Sequence, residues 1–178
     1  MTFLGCAADL VSKSLIFDRY YGQALAPDEA HWWLIPDVLG IQTSTNQGAL
    51  FGWGQGNSSL FAALSIAAII GILVWLFVAK TGRDWWMLLT LGAITGGILG
   101  NLYDRLGIWH GADPAPQEKC AVRDWIHFRW EGISFVDPWP NFNIADSLLV
   151  CGAILLFIHM LFIAPRQERA EAAAADSE

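Results

Sequence analysis

The chain has 178 residues, 54% hydrophobic and only 15% charged, with a formal charge of −7 and a pI near 4.9. A mean hydropathy of +0.40 at this charge density excludes an ordinary soluble domain and points to an integral membrane protein. The acidic balance, without a basic cluster, excludes nucleic acid as a partner, and the three cysteines (Cys6, Cys120, Cys151) show no metal-ligand spacing and cannot all be paired within the chain.

Residues 2–17 are an apolar stretch barely long enough to span a bilayer, and they carry Asp9 and Lys13. Four residues apart on a helix, these two share a face and can neutralise each other. Residues 18–57 change character: two prolines and a glycine-rich run from Asn46 to Gly56 predict an extramembrane segment, with strand character over Val38–Thr45. Trp32, Trp33 and Trp53 suit the headgroup level. Residues 58–79 contain no charge and form the clearest span. The turn Lys80–Asp84 then predicts a third span, antiparallel to it, over 85–103. Gly92, Gly96 and Gly100 repeat there at four-residue spacing, a pattern that lets helix backbones approach closely. A second extramembrane segment covers 104–145, and 146–164 is the last span, ended by Pro165 and followed by a charged tail, 165–178. Lys and Arg density in the short turn and tail places these in the cytoplasm and the two long segments outside. The whole chain reads as one integral membrane domain with an all-α core of four spans.

Two polar groups sit where spans meet the outer surface. Asn101, Asp104 and Arg105 can share a face at the end of the third span, and Asn143 and Asp146 open the fourth. An aspartate in the first turn of an otherwise apolar span costs about 2.5–3.5 kcal/mol on insertion scales, so Asp146 predicts a wet or protein-lined site. Asp124, on the connecting segment, can fold back to it, and Asp104 is the alternative partner. Two carboxylates sharing a site cannot both ionise comfortably; one keeps its proton, and the pair can hydrolyse an amide without metal or nucleophilic side chain. The bland readings are a neutralised Asp104–Arg105 pair and an Asp146 that only stabilises a helix start. The histidines lie without ligand partners, and no cofactor or metal is expected.

At these motifs the chain resembles the lipoprotein signal peptidases (signal peptidase II) of bacterial inner membranes: DLVSK at 9–13, NQGALFG at 46–52, GGILGNLYDR at 96–105, VRDWI at 122–126 and WPNFNIADS at 139–147. The resemblance implies four transmembrane helices, a small extracytoplasmic β-sheet and a periplasmic surface helix. It implies a monomeric aspartyl endopeptidase in the cytoplasmic membrane, with its site near the outer face. Its partners would be membrane lipid and prolipoproteins carrying a diacylglyceryl-cysteine, cleaved just before that cysteine. Carried over, the catalytic aspartates are Asp124 and Asp146, and the supporting residues are Asn46, Gly48, Asn101, Asp104, Arg105 and Asn143. The stretch Leu106–Ala121 is longer than in the family pattern and is a candidate lid; Trp125 stands where Phe is expected. The rival class is a non-enzymatic four-helix protein, either a scaffold or a small transporter. A transporter should show internal repeats or broken midplane helices, and neither is visible.

Overall fold

The structure, a computed structural model, describes residues 1–48, 53–78, 84–109, 115–116, 118–130 and 137–166. The turn at Lys80–Arg83, His110 and Asp113 in the insertion, and the tail from residue 167 fall outside them. The elements run α1 (Thr2–Tyr20), β1 (Trp32–Ile35), β2 (Leu39–Asn46), α2 (Ser58–Val78), α3 (Trp85–Arg105), β3 (Val122–Phe128), β4 (Trp139–Phe142) and α4 (Ile144–Ile158). The chain is thus mostly helical, with one antiparallel four-stranded sheet in the order β1-β2-β3-β4.

Three helices are long and apolar enough to cross a membrane: Ser58–Val78, Trp85–Arg105 and Ile144–Arg166. The fourth expected span, α1, has 19 residues but carries Asp9, Lys13, Asp18 and Arg19. In α2 only Ala62 is buried, so its surface is left for lipid. The centre of the bundle is α3, which packs on α1, α2 and α4. Asp84 caps it, its carboxylate accepting from Trp86 N at 2.9 Å and Met87 N at 3.2 Å.

Glycines set the spacing. A Cβ on Gly96 would lie 2.9 Å from the Thr2 carbonyl of α1, so the expected stripe faces α1. Gly97, outside the stripe, does the same toward α4, where a Cβ would stand 2.5 Å from the Ala145 carbonyl. With α1 and α4 drawn against adjacent faces of α3, their polar ends converge at its C-terminus.

Strand β2 falls one residue from the expected Val38–Thr45. Pro165, in contrast, does not end the last helix, which continues to Arg166 through a π turn at His159–Ile163. There Ala164 N–H reaches back to the His159 carbonyl, and the widened turn makes room for the proline ring that a regular turn would push into a carbonyl. Among the described residues there is no surface helix outside these elements.

Gly97→Ala is expected to destabilise the protein by about 1–3 kcal/mol despite alanine's better helix propensity, because the clash is with backbone. Thermal unfolding in detergent micelles should show the loss, and a Gly97→Ala variant melting at or above wild type would mean that α3 and α4 are not packed this closely.

Candidate active site

The site starts with the entry into α4. Asn143 is its N-cap, with Oδ1 accepting from Asp146 N at 2.9 Å, while Asn143 N–H donates to Asp146 Oδ2 at 3.2 Å. This reciprocal box fixes Asp146 in the first turn, where the helix dipole also favours a negative charge. The other oxygen, Oδ1, accepts from Asn101 Nδ2 of α3 at 2.8 Å.

Asp124 arrives from the sheet. It stands on β3 opposite Ser44 of β2, and its Oδ1 accepts from Asn143 Nδ2 at 2.6 Å. A further hydrogen bond comes from the Asn46 side chain. One asparagine, Asn143, therefore touches both carboxylates. Both line a single cavity of about 560 Å³, together with Asn46, Gly48, Asn101 and Arg105, and with Leu149 and Val150 on its apolar side. Burial pushes the Asp124 carboxyl up to about 8, and the nearby charge of Asp146 adds to the rise. At neutral pH Asp124 holds a proton beside the half-exposed Asp146.

Behind the cavity lies a second cluster of fully or almost fully buried charges. Lys13 Nζ reaches Asp9 Oδ2 at 2.7 Å, Asp104 Oδ2 at 3.1 Å and Asn101 Oδ1 at 2.9 Å. Arg123 donates to Asp104 Oδ1 from Nε at 2.9 Å and Nη2 at 2.7 Å, and its backbone N–H reaches Oδ2 at 3.0 Å. Asp9 Oδ1 in turn accepts from Ala145 N–H at the start of α4, at 2.8 Å. Because Lys13 occupies the Asn101 oxygen, the amide nitrogen of Asn101 must point to Asp146.

Of the expected site residues, Asn46, Gly48, Asn101, Arg105, Asp124 and Asp146 line the cavity, and Asn143 braces it from within. Asp104 does not line it. The expected Asp104–Arg105 pair is replaced: Asp104 belongs to Lys13 and Arg123, while Arg105 donates to the Gly48 carbonyl at 3.2 Å and lies 5.3 Å above the Phe61 ring. Successive helix residues point about 100° apart, so the two cannot serve one inward face equally. Sequence reasoning overlooked Arg123 and took Asp9–Lys13 as a local pair. The signal for Arg123 was its place next to Asp124 in a strand, since neighbours there point to opposite faces and a buried charge on the far face needs an acid. Among the described residues no three His, Cys, Asp or Glu side chains come together as a metal site.

Two carboxyls meeting in one cavity, at the end of a helix bundle built to lie in lipid, have the arrangement of a membrane hydrolase of the aspartic type. The family model for signal peptidase (SPase) II matches residues 1–162. The lipoprotein signal peptidase of Rhodopirellula baltica is 48% identical over 158 residues, which are 89% of this chain and 68% of that one. That of Bacillus velezensis is 42% identical over 159 residues, 87% of each chain. A solved bacterial membrane enzyme superposes with a TM-score of 0.65 at 26% identity, covering 91% of this chain and 90% of its own. The chain belongs to the signal peptidase II family.

Two outcomes follow from the site's electrostatics. Asp104→Ala leaves Lys13 and Arg123 buried without their shared acid and should cost about 3–5 kcal/mol, read as a lowered denaturation midpoint. The raised Asp124 carboxyl means that between about pH 4 and 8 the folded chain keeps a proton the unfolded chain has released, so its contribution to stability falls as pH rises through that window. Asp124→Asn should therefore gain thermal stability relative to wild type from pH 5 to pH 8; parallel curves would show that Asp124 is ionised throughout.

Proposed function

We propose that Asp124 and Asp146 are the catalytic pair of an intramembrane aspartyl endopeptidase that cuts diacylglyceryl-modified prolipoproteins immediately before the lipidated cysteine. As a member of its family the chain removes signal peptides from prolipoproteins; the catalytic residues, the lipid requirement and the site's location go beyond that membership. The observation that carries the proposal is the meeting of the two carboxylates in one cavity, joined through Asn143. Asp146, held by donors to both of its oxygens, takes a proton from water as the oxygen attacks the scissile carbonyl. Asp124 gives its proton to the carbonyl oxygen. The tetrahedral intermediate then collapses, a proton passes to the departing amine, and the pair is left with one proton as before. Asn101 and Asn143 hold the carboxylates in register. Arg105 braces the Gly48 carbonyl, and a Cβ at Gly48 would lie 2.5 Å from the Trp53 carbonyl, so that edge of the cavity has to be glycine.

The membrane reading has its own support. The charges of α1 that are fully buried, Asp9 and Lys13, point into the bundle, whereas Phe3, Leu4, Val11 and Leu15 are 89%, 73%, 56% and 68% exposed. An outer surface of that kind fits a fourth transmembrane helix. Four spans make the chain one integral unit, a monomer in the bacterial cytoplasmic membrane with residues 18–57 and 104–145 outside and the tail, 165–178, in the cytoplasm. The cavity then opens at the outer face, and Leu149 and the exposed Val150 lead from it to the lipid side of α4, a lateral path for the diacylglyceryl chains.

A mobility-shift assay in lipid-detergent micelles, with a diacylglyceryl prolipoprotein as substrate, tests the reading. Turnover should fall at least about 10³-fold in both Asp124→Asn and Asp146→Asn. Asp104→Asn should lose activity only in proportion to its folded fraction. Activity spared at 124 but lost at 104 would replace the pair, and no cleavage by well-folded wild type would favour the scaffold.

A further inference from the structure

The long stretch between Arg105 and Val122 closes on itself where Gly107, at φ +67°, passes the far end of the loop. A Cβ there would lie 3.2 Å from both the Lys119 carbonyl and the Cys120 sulfur. Both ends of the loop grip Tyr21, just past the last turn of α1. The ring of Trp109, 3% exposed, stands edge-on to Tyr21 at 6.0 Å and to Phe17 at 5.9 Å. The Glu118 carboxylate accepts from the Tyr21 hydroxyl on one oxygen and from Thr45 Oγ1, at 2.8 Å, on the other. Trp109 also lies 5.0 Å from the Arg123 guanidinium, a cation–π contact in a desolvated place.

The two strand residues held in this way are informative. Thr45 and Arg123 are direct partners across β2 and β3. Thr45 immediately precedes Asn46, and Arg123 immediately precedes Asp124, the hydrogen-bonded pair in the cavity. Neither Trp109 nor Glu118 lines that cavity; Glu118 lines a second one of about 290 Å³ that adjoins the first through Ser44 and Thr45, which line both. Trp109 and Glu118 therefore hold the strands from outside that cavity.

We infer that the two ends of the loop clamp β2 and β3: Glu118, through Thr45, and Trp109, through Arg123, are positioning residues for Asp124 in the cleavage reaction. The inference rests on the reading of Asp124 as catalytic. A carboxylate holding two hydroxyl donors makes charge-assisted, directional bonds, so Glu118 fixes the strand register locally as packing alone would not. Misplacing a reacting group by an ångström costs up to about 10²-fold in rate. The charged groups facing Asp124 are Asp146 from α4, Lys13 from α1 and Arg105 from α3, and the clamp touches none of them directly.

The test uses the full chain in micelles and steady-state cleavage of the diacylglyceryl prolipoprotein across pH. Glu118→Ala should lower kcat about tenfold with KM within about twofold, and should move the alkaline limb of kcat upward, because a loosened Asn46 no longer favours ionised Asp124. Glu118→Gln, which keeps one acceptor, should recover part of the loss. Thr45→Val removes the link to β2 with little change in volume and should shift both readouts in the same direction, so it carries the test if Glu118→Ala does not fold. Wild-type kcat and pH limb in Thr45→Val and in folded Glu118→Ala would overturn the clamp. Asp124→Asn is assayed in parallel: if it still turns over, the catalytic reading has failed, whereas an inactive Asp124→Asn beside unaffected clamp variants rejects the clamp alone.

Discussion

Two acids and two bases, Asp9, Lys13, Asp104 and Arg123, lie between 0% and 3% exposed where α1, α3 and β3 meet the start of α4. Buried charges of this kind are tolerated only when paired and hydrogen-bonded, and breaking one partner out costs several kcal/mol. The set sums to zero. Asp104 carries both cations, Lys13 also binds Asp9, and Asp9 receives the Ala145 N–H, an orphan donor at the head of α4. One network therefore ties two helices and the sheet to the helix that carries Asp146. The glycine contacts of α3 are its precondition, since Gly96 and Gly97 bring α1 and α4 close enough for these side chains to meet.

From that base the site is positioned by amides. Asn101 is aimed by Lys13, whose bond to its oxygen leaves the nitrogen for Asp146. Asn143 accepts from Asp146 N–H and donates to Asp124 and to Asn101 Oδ1, the latter at 3.1 Å. Neutral amides hold carboxylates without neutralising them, so the geometry is fixed while the proton remains free to move between oxygens. A lysine in either place would have given an ion pair and pulled the carboxyl down instead.

Much of this was legible in the chain. Three of the four expected spans announced themselves by hydropathy, and β2 by its pattern. Asp146 stood out because a carboxylate opening an apolar helix is costly without a reason. The partnering of charges was not legible. Asp104 followed by Arg105 looks like a pair on paper, but the helix turns them apart, and the acid's partners come from 91 residues upstream and 19 downstream. Long-range ion pairing leaves no periodic trace, in contrast to the i, i+4 contact of Asp9 and Lys13, which was readable. Pro165 misled for a related reason. Its rule assumes a regular turn, and a π turn lets the chain continue.

Burial keeps the proton on Asp124, and the division of charge adds to it. Arg105 is the cation that faces both Asp124 and Asp146, while Lys13 acts on Asp124 from behind with its ammonium bonded to Asp9 and Asp104. One positive charge balances one carboxylate. The carboxyl in the more buried position, Asp124, is held neutral chiefly by desolvation, with the charge of Asp146 adding to it. The buried network thus bears on the protonation of the cavity as well as on its shape, by holding Lys13 and Arg123 on other acids.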